Sequence, residues 1–162
     1  MQPIEWPANI SFDKRAFTHG FPFLGPHTRI LKEAKSLLNQ RNKDNVSALW
    51  LENEFIIADE VREKIFSVAA SYLNWPNHLF IPADRAAIVF GFIPGMWIDP
   101  EDIIGDIAEM YNIDWFSPTD LAVGLKRTGT ENRRKCAEIY ESVLQDTLID
   151  FFRLLEQNRI PD

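Results

Sequence analysis

The sequence predicts an all-α chain. In four stretches, within Thr28–Asn42, Asp59–Leu73, Glu101–Tyr111 and Glu131–Gln157, apolar residues recur at intervals of three and four, the spacing of one helix face. Asp99-Pro100 and Ser117-Pro118 supply a capping side chain followed by proline at the first helical position, a helix-start signal. No internal repeat interrupts this pattern, and Ile88-Val89-Phe90 is a short run with strand-like composition. At 162 residues a single domain over 1–162 is expected.

The first 26 residues hold Pro3, Pro7, Pro22, Pro26, Gly20 and Gly25, with Trp6, Phe12, Phe17, Phe21 and Phe23 among them. Proline and glycine break regular structure, while that many aromatic rings need cover. Segment 1–26 is therefore expected to be an irregular arm lying on the core, or else to line an aromatic ligand pocket. Ile30, Leu31, Ala34, Leu37 and Leu38 make an added N-terminal helix, and Asn42 to Asn45 is a polar break. Val46 to Ile57 is apolar-rich and fits a short helix or a strand.

Asp59 to Leu73 is expected to be a helix with Val61, Ile65, Val68, Ala69 and Tyr72 on its buried stripe and Arg62, Glu63 and Ser67 opposite. Asn74, Pro76 and Asn77 end it, and a long loop runs to Trp97. In the helix that Asp99 starts, Ile103, Ile104, Ile107, Met110 and Tyr111 face inward and Glu101, Asp102, Asp106 and Glu109 outward. A short helix follows Ser117 to Leu125. Over 131–157 a long C-terminal helix would carry Cys136, Ile139, Tyr140, Val143, Leu144, Thr147, Leu148, Phe151 and Leu155 on one stripe. Ile65, Val68, Ile103, Ile107, Tyr140 and Leu144 are the expected core.

Charge and composition exclude several classes. The net charge is −7, with +3 over residues 1–51, −10 over 52–125 and zero over 126–162. An acidic chain is repelled by the nucleic-acid backbone. No apolar run approaches the roughly 20 residues of a membrane span. The opening MQPIEWPANISFDKRAF lacks a basic-then-apolar signal pattern, and the lone Cys136 fits a reducing compartment, so a cytoplasmic location is expected. His19, His27 and His78 show no metal-ligand spacing, so neither a metal nor a cofactor is expected.

The middle of the chain, roughly 58–143, resembles acyl carrier proteins. DEVREKIFSVAASYLNWP is similar to their first helix, and LFIPADRAAIVFG to their long first loop with Phe90-Gly91 as its hydrophobic end. PEDIIGDIAEMYNID resembles the second helix, with Tyr111, Asn112 and Ile113 at its phenylalanine-glycine-isoleucine ending. SPTDLAVGLKRTGT resembles the third helix and the turn after it. The resemblance implies an acidic helical bundle in a bacterial cytoplasm. Members carry phosphopantetheine on a serine in an Asp-Ser-Leu motif; here Met96, Trp97 and Ile98 stand at those places. An indole cannot form the phosphoester, so Trp97 marks the missing carrier serine and no prosthetic group is expected.

The functional expectation is an acyl-carrier-like interaction protein without that chemistry. Glu101, Asp102, Gly105, Asp106 and Glu109 would form the surface that meets a protein partner with a basic patch. Two alternatives stay open: an immunity or regulatory protein unrelated to acyl chemistry, and an enzyme using paired carboxylates. The enzyme would draw on Glu52 with Glu54, or Asp102 with Asp106, and on His78. No nucleophile elbow, P-loop or dinucleotide fingerprint is present. The oligomeric state is not legible in the sequence.

Overall fold

The computed structural model describes residues 1–6, 27–53, 57–91, 93, 103, 106–107 and 146–157. Among them the regular structure is helical, with no strand, as an all-α chain requires. Helix α1 spans His27–Asn39 and buries Ile30, Ala34 and Leu38, four residues apart. It ends before Asn42, where the sequence pattern had carried it. Asn42 instead takes an extended conformation, and its side chain accepts the Asp44 amide at 2.8 Å, capping helix α2 over Lys43–Leu51. The polar break is thus a helix start, and the ambiguous apolar stretch is helical as far as Leu51. Val46 and Trp50 are its buried residues.

Helix α3 spans Asp59–Leu73, the expected range, and stops where Asn74 adopts a left-handed conformation (φ 49°) with its amide donating to the Ala70 carbonyl. Its buried face is rotated from the expected one: Arg62, Ile65, Phe66, Ala69 and Leu73 are buried, Val61 and Val68 only partly, and Tyr72 is exposed. Arg62 is tolerated inside because its guanidinium lies 4.6 Å from the Trp50 ring centroid and pairs with Asp59.

The run Ile88-Val89-Phe90 is not a strand. Ala86–Val89 form one helical turn, α4, closed by the Phe90 amide on the Ala86 carbonyl at 2.9 Å. Every residue from Ala86 to Phe90 is buried, so an all-apolar sequence replaces an amphipathic one. Gly91 follows with φ +81°, where a Cβ would be strained and would meet Leu73 Cδ2 at 3.2 Å and Ile103 Cδ1 at 3.6 Å.

Helix α5 spans Leu148–Gln157, so the helix expected over 131–157 does not run through Asp146 and Thr147. Thr147 makes an antiparallel bridge with Arg85. Its hydroxyl donates to Asp150 Oδ2 at 2.7 Å and accepts from the Asp150 amide, a capping arrangement that begins a new helix.

Phe66 lies 4.9 Å from Phe80 and 5.8 Å from Phe152, and Trp50 lies 5.6 Å from Phe152, centroid to centroid, joining α2, α3 and α5 at the core. Among the described residues both buried indoles are satisfied: Trp50 donates to the Phe80 carbonyl and Trp75 to the Val89 carbonyl. Of the expected core residues, Ile65, Ile103 and Ile107 are fully buried and Val68 is half-buried. Tyr140, Leu144 and Cys136 lie outside the described residues, as does arm segment 7–26. Residues 1–6 have no regular structure, and Ile4 is buried in the core.

Candidate functional site

Of the residues expected to meet a partner, Asp106 is described; Glu101, Asp102, Gly105 and Glu109 lie outside the described residues, as does Trp97 at the place of the missing carrier serine. Asp106 is exposed between the fully buried Ile103 and Ile107 in helical backbone. Its carboxylate accepts the Tyr72 hydroxyl at 2.7 Å, which ties it to α3. This bond also explains why Tyr72 leaves the buried stripe: a phenol needs a polar partner, and one is available at the surface.

Each pair of acids considered for catalysis has one member outside the described residues, Glu54 in the first and Asp102 in the second. Glu52 is exposed at the end of α2. His78 stands 3.8 Å from Glu63, both partly solvent-facing. No group of three or more His, Cys, Asp or Glu is placed to hold a metal among the described residues.

Among the described residues the most highly organised polar centre is one that the sequence pattern did not single out. Asp84 is fully buried, and its two oxygens take Arg41 Nη1 and Nη2 at 2.6 Å each, the Ile4 amide at 2.8 Å and the Ile81 amide at 2.8 Å. Arg41 also donates to the carbonyls of Leu79 and Gln2 at 2.8 Å. Burial pushes the Asp84 carboxyl above its ordinary value; the hydrogen bonds and charge of Arg41, then the two amides, oppose that shift. A carboxyl with 0% exposure and four donors has no free face for a substrate, so the centre organises the fold.

Arg85, the next residue, joins three parts of the chain. Its amide donates to the Ile4 carbonyl at 2.9 Å, while on the other side the Leu148 amide reaches the Asp84 carbonyl at 2.8 Å and the Ala86 amide the Asp146 carbonyl at 3.0 Å. Its guanidinium pairs with Glu5. Asp146 beside it has a carboxyl raised by partial burial and by the Asp150 charge, with Arg85 acting the other way. One signal for this centre was present: Asp84-Arg85 interrupts the otherwise apolar FIPADRAAIVF, and a charge embedded in a core sequence needs a partner.

Comparison of the chain with family models, curated proteins and solved structures finds no match. No helix among the described residues is long and apolar enough to cross a membrane.

Proposed function

We propose that this chain is an acyl-carrier-like interaction protein without phosphopantetheine chemistry, a helical bundle that docks on a basic protein patch. The docking surface is the acidic helix face of Glu101, Asp102, Gly105, Asp106 and Glu109. One observation carries the reading: of the six described acids of segment 52–125, all but Asp84 are exposed. Of its three basic residues, Arg62 is buried over Trp50 and Arg85 is paired with Glu5, leaving only Lys64 exposed. Glu52, Asp59, Glu60, Glu63 and Asp106 are all exposed. Asp84, the buried acid among the described residues, is matched by Arg41 from outside the segment. Exposed acids with one exposed lysine among the described residues of this segment give a negative field that favours encounter with a cationic surface.

The test uses the partner recovered by affinity purification from the native host. Titration calorimetry compares wild type with the variant Asp102→Lys/Glu109→Lys, with Asp106 kept for its bond to Tyr72. The expected result is unchanged helicity, about tenfold or greater loss of affinity, and weakening of wild-type binding between about 0.1 and 0.5 M salt. Equal affinity and no salt dependence would refute the docking face. A partner from toxin defence rather than acyl metabolism would transfer the same surface to the regulatory reading.

A further inference from the structure

We propose that the site holding residues 2–5 is a peptide-binding site, occupied in cis by the chain's own first residues, and that it accepts from a partner protein an extended segment in which an aliphatic residue precedes an acid. The segment is recognised as a bound peptide is recognised. Its main chain is read at three points: the Gln2 carbonyl by Arg41 Nη2 at 2.8 Å, the Ile4 amide by Asp84 Oδ1 at 2.8 Å, and the Ile4 carbonyl by the Arg85 amide at 2.9 Å. Pro3 between them has no amide to satisfy and restricts the backbone to extended conformations. Ile4 is the anchor, 2% exposed. Glu5 is the selector, held by both Nε and Nη2 of Arg85. Main-chain pairing for affinity with side-chain pockets for choice is the logic of strand addition to an open edge.

The receiving half is assembled without the segment. Asp84 keeps Arg41 and the Ile81 amide. Arg41 keeps the Leu79 carbonyl. Backbone 84–86 is held from its far side by Asp146 and Leu148. Removing residues 2–5 would open the Arg85 amide and the Ile4 pocket to a competitor while leaving the rest of the centre paired. The segment reaches Arg41 across 39 positions of sequence and Asp84 and Arg85 across 80, so its attachment is a separate closure, and an external peptide of like chemistry competes for the same groups.

The experiment uses a fluorescent hexapeptide of sequence MQPIEW and the full-length chain. In the Glu5→Lys variant a cation faces Arg85 at a site where the Glu5 side chain is 44% exposed, which weakens the cis segment without touching the core. Anisotropy should show saturable binding to this variant and about tenfold or more weaker binding to wild type, where the intramolecular segment competes. Peptides with Ile replaced by Asp, or Glu by Lys, should not bind. Absence of saturable binding to Glu5→Lys, or equal binding of the substituted peptides, overturns the proposal. Hydrogen exchange of wild type gives an independent reading: the Ile4 amide should exchange faster than that of Ala69 inside α3. Equal rates would mean that the segment leaves only with global unfolding, and would overturn it as well.

Discussion

Replacing Arg41 by Met removes the counter-charge from a carboxyl that is wholly inside the protein. The side chains of Arg41 and Asp84 are 2% and 0% exposed. In the variant Asp84 retains the Ile4 and Ile81 amides but loses both guanidinium bonds, and the carbonyls of Leu79 and Gln2 lose a donor. Breaking a buried pair from one side costs about 3–5 kcal/mol, a large share of the roughly 5–15 kcal/mol that holds a domain folded. The cost should depend on pH with a definite sign. Burial already raises the folded carboxyl above its unfolded value of 3.8, and Arg41 is the main force opposing that rise. A raised acid binds its proton more tightly in the folded state, so stability falls as pH rises through the window above 3.8 and levels off beyond the folded pKa. Without Arg41 the window widens upward, and each further unit adds about 1.4 kcal/mol to the penalty at neutral pH. Urea titrations of both proteins at about pH 4.5 and 7.5 measure this, with the wild type cancelling the other carboxylates. A penalty below about 1 kcal/mol at the higher pH, or the same penalty at both, would refute the argument.

Ile107→Ala, at a fully buried site, should cost about 2–5 kcal/mol by chemical denaturation. Thr147→Ala removes the hydroxyl that pairs with Asp150 and should cost about 1 kcal/mol, seen as a lower midpoint with an unchanged slope. Gly91→Ala, at φ +81° against Leu73, should cost about 1–2 kcal/mol, and a stabilised variant would contradict that conformation. Incubation with coenzyme A and a broad-specificity phosphopantetheinyl transferase should leave the intact mass unchanged, because Trp97 offers no hydroxyl; a mass gain would direct attention to Ser117.

Local signals predicted local structure well. Helix α3 has its expected ends because its apolar spacing and the Asn74-to-Asn77 stop depend only on neighbours in sequence. Its face was misjudged by residue type: Arg62 was assigned to water for its charge, although an aromatic face and an acid one turn away can hold it inside. The break before α5 was legible in Thr147-Leu148-Ile149-Asp150, a capping pattern, but the apolar period runs straight across it and masked the signal. The Arg41–Asp84 centre was legible only in its acidic half. Asp84 stands out as a charge in an apolar run, but Arg41 lies 43 positions away, and no local pattern distinguishes it from solvated neighbours. The docking surface rests on helix periodicity, which places Asp106 outward but could not foresee its bond to Tyr72 on a separate helix.

The junction at Arg85 also sets an order of events during synthesis. Ile4 is made 80 residues before Asp84, an interval of roughly 4–16 s at about 5–20 residues per second. Through that interval α1, α2 and α3 can form, since each closes on its own neighbours, yet Arg41 has no carboxylate and Ile4 no pocket. Asp84 then supplies one side of the junction, but its carbonyl and the Ala86 amide wait for Leu148 and Asp146. A nascent chain arrested anywhere between these points holds finished helices around an open seam, with the Trp50 and Phe66 rings still lacking Phe152. Emergence of α5 is therefore the step that closes this seam and covers its aromatic rings.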